Sequence, residues 1–122
     1  MPLYTAISQE GFLSDMTKTE IAQEITRIHC STMNIPKQFV RVIFLSYPQG
    51  SGFTAGEEAA AACLNCVFRS GHTPEEKTEL LEQLWSMFQD LTGVTTDQLA
   101  LSLQEIPSQN AMELGQIMKP VG

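Results

Sequence analysis

Hydrophobic positions along this chain switch between two periods. Leu3–Ser8 is a run without charge, made of Leu, Tyr, Thr, Ala and Ile before a serine, and it reads as a short apolar strand. A helical stretch follows, starting near Ser14 or Thr17 and reaching about Met33, with Ile21, Ile25 and Ile28 on one stripe. Phe39–Ser46, built around Val40-Arg41-Val42-Ile43-Phe44-Leu45, reads as a second strand. The succession then returns. A strand is expected over roughly Ala61–Arg69, a helix from Thr73-Pro74-Glu75-Glu76 to about Thr92, and a strand over Gln98–Gln104. The second helix is signalled by Thr at the N-cap, Pro at N1, acids in the first turn and Gly93 as C-cap.

These are two copies of one unit. Laying Lys18-Thr19-Glu20 over Lys77-Thr78-Glu79 sets an offset of about 59 residues that runs ungapped to the C-terminal region. Ile21, Ile25 and Ile28 fall on Leu80, Leu84 and Met87, Pro48 on Pro107 and Gly56 on Gly115. Gly11 and Gly71 align with a one-residue slip in the turn. In each copy a helix of about 17 residues joins two strands, a length that suits a crossover between parallel strands. The expected fold is α+β: two β-α-β repeats forming a four-stranded sheet with both helices on one face. The chain is expected to be one domain of two halves, about 1–60 and 61–122. The other sheet face then needs a partner, and oligomerisation would supply it.

Composition narrows the function. The net charge is −7 with seven Lys and Arg among 122 residues. Without a basic stripe, nucleic-acid binding is set aside. No apolar run approaches a membrane span, and no signal peptide is recognisable at the N-terminus. Three cysteines point to a reduced, cytoplasmic setting. Cys63 and Cys66 form a CxxC, but three residues apart on a strand they face opposite sides, so they are expected to be buried thiols without a metal. Trp85 and Phe88 are expected in the core.

Pro2 is the unusual residue. At the head of a strand it is structurally tolerable, because there it need not donate to a ladder. The second copy has no proline at the matching place near Ala62, so the fold does not demand one. Removal of Met1 would leave Pro2 as a secondary amine. An α-amine titrates at about 8, nearer neutrality than lysine, and desolvation or nearby cations lower it further. With Met1 attached the nitrogen is an amide and cannot titrate.

A strand-initial proline with a doubled β-α-β unit resembles the tautomerase superfamily. Phe39–Phe44 followed by Gly50, Phe53 and Gly56 is similar to the second strand and hairpin of 4-oxalocrotonate tautomerase. The stretch Glu105–Gly115, with Ser8-Gln9 and Ile25-Thr26 before His29, resembles more specifically the cis-3-chloroacrylic acid dehalogenase group. The resemblance covers essentially the whole chain. It implies a homotrimer, a pocket around the N-terminal proline, no cofactor and a small carboxylate substrate. Of six positions that carry the group's chemistry, Pro2, His29, Arg69 and Glu113 are kept. His72 stands in place of a second arginine and Ser102 in place of a tyrosine.

The residues are expected to divide the work accordingly. Pro2 is the acid–base group and Glu113 the residue that activates water in the dehalogenases. His29, on the apolar stripe of the first helix, is a donor to a substrate carboxylate or carbonyl. Arg69 and His72 flank a Ser-Gly turn, where the planar guanidinium suits a carboxylate. Arg41, among apolar neighbours, is the alternative cation, and the matching arginine of the tautomerase binds substrate. The preferred reaction is keto–enol tautomerisation of a small 2-oxo acid. The alternatives are hydration or dehalogenation of cis-3-haloacrylate-like acids, and a trimeric binding protein that has lost activity.

Overall fold

The computed structural model describes residues 1–119. In chain order it holds β1 (Leu3–Gln9), α1 (Asp15–Met33), β2 (Arg41–Tyr47), β3 (Phe53–Thr54), β4 (Glu57–Glu58), β5 (Ala62–Arg69), α2 (Pro74–Thr92), β6 (Leu99–Ile106), β7 (Met112–Glu113) and β8 (Gln116–Ile117). The four long strands form one mixed sheet in the order β2-β1-β5-β6. β1 and β5 pair antiparallel at its centre, while β2 and β6 run parallel to their neighbours on the flanks. The expected α+β architecture of two β-α-β units is the one observed.

Local chemistry sets the boundaries. Ser14 is the N-cap of α1, its hydroxyl accepting from the Thr17 amide, so the earlier of the two expected starts is the actual one. Thr73 and Glu76 form a reciprocal capping box on α2. Asn34 and Gly93 close the helices in left-handed conformation, at φ 55° and 71°. Both helices are 19 residues long, two more than expected. β2 begins at Arg41 rather than Phe39, because Lys37–Phe39 winds into a 3-10 turn after Pro36. β6 likewise starts after a turn at Thr96–Gln98. Both strands run on until a proline stops them, Pro48 in one copy and Pro107 in the other.

The repeat contains the anticipated slip. The helices and hairpins coincide at an offset of 59, whereas Leu3 opposite Arg41 corresponds to Cys63 opposite Ala100, an offset of 60 for the first strands. The extra residue lies in the turn before α1.

Alternation decides what faces the helices. Tyr4, Ala6, Leu64, Cys66 and Phe68 point inward, where they meet Ile21, Ile25, Ile28, Leu80, Leu84 and Phe88. Phe88 is fully buried as expected, but Trp85 is only half-buried on the flank of the core. The cysteine expectation holds for Cys66 alone; Cys63 is half-buried, since the spacing of three turns it to the other sheet face. That face carries no helix. Ile43 and Leu45 stand 48% and 52% exposed on it.

Candidate functional site

At the end of the sheet where β1 begins, several chemistries converge. Pro2 is buried and its carbonyl accepts from the Arg41 amide at 3.1 Å, which fixes the start of β2 beside it. The β7–β8 hairpin closes over the same end. Its two-residue turn, Leu114-Gly115, has φ 53° and 73°, both left-handed as a two-residue hairpin of this kind requires. Met1, Pro2, Leu3, Arg41, Met112, Glu113 and Leu114 line a cavity of 280 Å³. A larger groove of 540 Å³ lies between α1 and α2, lined in part by Glu24, Glu82 and Asp90. Those helix-face acids are solvated surface side chains, so the smaller cavity is the better candidate.

The cavity is electrostatically unusual. The α-amine of Met1 faces Glu113 in an ion pair. Burial, then Arg41, then Arg69 nevertheless pull that amine down to about 6. Two guanidinium groups therefore act on one amine from the strands on either side of β1. Arg69 is held by its Nη1, which donates to the Lys119 carbonyl at 2.8 Å. Arg41 is exposed, its Nη1 reaching the Phe39 carbonyl at 3.5 Å.

Beneath Pro2, on the helix side of the sheet, lies an aromatic row. His29 is 1% exposed, and its Nδ1 is 2.7 Å from the Tyr4 hydroxyl. Its ring meets Tyr4 and Phe68 edge-on, and Phe68 in turn packs against His72. Burial first, then His72 and the N-terminal amine, pull the His29 imidazole down to about 4, so it is neutral at pH 7. His72 has a side chain that is nearly buried and lies 4.0 Å from a Glu76 oxygen.

The structure thus brings Pro2, Arg41 and Glu113 to one cavity, with Arg69 acting on its amine and His29 and His72 below. Ser102 is not among them. It sits on the open sheet face, donating to Asn65 Oδ1 at 2.6 Å from the strand position directly opposite. Sequence reasoning missed Tyr4, the partner of His29. The signal was available, because strand alternation places Tyr4 on the same inward face as Pro2. It also missed Met112 and Leu114, whose place at the mouth depends on a hairpin that only the three-dimensional fold brings back to Pro2. Among the described residues no cluster of His, Cys, Asp and Glu could hold a metal ion, and no helix is long and apolar enough to cross a membrane.

Comparison with known proteins agrees with this geometry. Residues 1–100 match the family Tautomerase_3, described as "Putative oxalocrotonate tautomerase enzyme". No curated protein matches the sequence. Among solved structures, a protein called N1, a member of the cis-3-chloroacrylic acid dehalogenase family, is 29% identical with a TM-score of 0.91, covering 97% of this chain and 84% of its own. Native Ps01740 is also 29% identical, at TM-score 0.89 over 91% of this chain and 99% of its own. A fused 4-OT solved as a symmetric trimer shares the fold at 22% identity and TM-score 0.87, over 95% and 94% of the two chains.

Proposed function

The chain belongs to the oxalocrotonate tautomerase enzyme family, and from that premise we propose that it is a cofactor-independent tautomerase whose acid–base group is the amine of Pro2. The observation that carries this reading is the cavity that holds Pro2, Arg41 and Glu113, where burial and two arginines oppose protonation of the Met1 α-amine just ahead of Pro2. Removal of Met1 would leave the Pro2 nitrogen in that neighbourhood as a secondary amine. Neutral at pH 7, it can act as a general base. It would take the proton from the hydroxyl of a 2-hydroxy enol and return it at C3, as the C2–C3 double bond becomes a C2 carbonyl. Arg69, with Arg41 or His29, would hold the carboxylate and stabilise charge growing on the enolate oxygen. The substrate is the enol form of a small 2-oxo acid, and the enzyme works in a reduced cytoplasmic compartment. The test is Pro2→Ala, assayed for ketonisation of an aryl enolpyruvate. The variant should lose at least about a hundredfold in kcat; equal turnover would contradict the proline mechanism.

A second reading keeps the site and changes the reaction. Glu113 pairs with the Met1 amine and lines the same cavity as Pro2; with Met1 removed, it would draw a proton from water while a protonated Pro2 donates to the substrate. That chemistry would hydrate or dehalogenate a three-carbon unsaturated acid. The resemblance to N1 supports it, while His72 and Ser102, standing for an arginine and a tyrosine, weaken it. Turnover of a haloacrylate with chloride release would establish it.

We also propose a homotrimer. It would cover the open sheet face, and the fused 4-OT neighbour is a symmetric trimer. Sedimentation equilibrium at three times the chain mass is the expected result.

A further inference from the structure

We propose that Tyr4 is a positioning residue, whose hydroxyl donates to His29 Nδ1 and so holds the imidazole with its proton on Nε2, presented to the substrate. The proposal rests on the reading above that His29 touches substrate.

Three observations carry it. The Tyr4 oxygen lies 2.7 Å from His29 Nδ1 in a pair that is entirely buried. The imidazole is clamped edge-on by Tyr4 at 5.5 Å and Phe68 at 6.5 Å between ring centroids. A ring flip would therefore have to displace two core aromatics. The third concerns proton supply. Tyr4 adjoins the buried Cys66 thiol, which burial pushes up to about 12, and the phenol is itself raised well above its ordinary range. Both groups keep their protons at neutral pH. The phenol has a single O–H, and among the described residues its hydrogen-bond partner is His29 Nδ1, so the proton is given there. A neutral imidazole carries one proton, so with Nδ1 accepting, that proton is on Nε2.

Nε2 makes no hydrogen bond to a described residue, yet no sealed side-chain nitrogen or oxygen lacks a partner among them. It is the nitrogen left for a ligand. His29 is bonded to Tyr4, which stands two residues along β1 from Pro2 on the same inward face, so the ring lies beneath the Pro2 end of the sheet. A neutral N–H there can donate to a growing oxyanion.

The tautomer can be read without any variant. In protein labelled with 15N at histidine, a long-range 15N–1H correlation at pH 7 should show the His29 proton on Nε2. Tyr4→Phe should retain the fold by circular dichroism, mix the two tautomers and lower kcat/KM for an aryl enolpyruvate about tenfold. A wild-type proton on Nδ1, or a Tyr4→Phe protein unchanged in tautomer and turnover, would overturn the proposal. His29→Ala separates the two levels. Full turnover in that variant would remove His29 from the reaction, and with it the catalytic part of Tyr4, whatever tautomer the spectrum shows.

Discussion

The sheet has two ends built from the same repeat, and they have diverged in opposite directions. With the strand register and the helix offset as guide, Pro2 corresponds to Ala62, Arg41 to Ala100, Arg69 to Gln9, His29 to Phe88, Tyr4 to Leu64 and Glu113 to Thr54. His72 falls on the apolar Phe12-Leu13 segment. Wherever one end bears a group that can bind or move a proton, the other bears an apolar or uncharged residue. The packing differs as well. At the second end Tyr47 donates its hydroxyl to the Ala61 carbonyl at 2.5 Å and lies against Gly52, where a Cβ would come within 2.7 Å of the ring. The corresponding positions at the first end are Ile106 and Ala111, which make no such closure. Identical topology with opposite chemistry shows that the fold tolerates neutral residues at all of these places. Convergence at one end therefore calls for a functional explanation.

Substitutions at matched positions should break that comparison unequally. The largest effect is expected at Glu113 if water activation contributes, and at Pro2 in either reaction. Pro2→Ala should lose a hundredfold or more in kcat, whereas Thr54→Ala, at the position matching Glu113, should leave turnover unchanged in the same assay. Next come the arginines. Arg69→Ala removes a charge-assisted contact and should raise KM about ten- to a hundredfold, while Gln9→Ala should not. Arg41→Ala carries a second signature. Taking away a cation that opposes protonation raises the amine pKa, so the rising limb of the kcat/KM profile should move to higher pH.

A smaller effect concerns stability. His29 is near 4 when folded and about 6.5 when unfolded. The unfolded chain binds more protons between those values, so stability should fall as pH drops from about 6.5 towards 4, by at most about 3 kcal/mol. His29→Phe, which copies Phe88 from the other end, should flatten urea-unfolding midpoints across that window. The smallest effect separates the helix starts. Thr73→Ala breaks a reciprocal box and should destabilise by about 1 kcal/mol, with a lesser loss for Ser14→Ala, whose cap is one-sided.

Much of this was legible in the sequence because repetition doubles each signal. Ile21, Ile25 and Ile28 alone suggest a helix; their recurrence as Leu80, Leu84 and Met87 fixes the register of the whole unit. Pro2 stood out for the same reason, as a residue its own copy lacks. Strand edges were less legible, since Phe39 and Gln98 have strand-compatible neighbours and only the 3-10 turns exclude them. The site was legible as a set of residues but not as a geometry. Glu113 reaches Pro2 through a hairpin more than a hundred residues downstream, and the ion pair there depends on long-range packing. Tyr4 was hidden by its own ambiguity, for an inward tyrosine on a strand reads as core until its hydroxyl finds a partner.

The central claim is that the proline amine is held neutral by its surroundings, and a titration of protein lacking Met1 tests it most directly. Following the 15N shift of Pro2 against pH should give a pKa below 7. A value above 8 would contradict the account and assign the proline to giving protons rather than taking them.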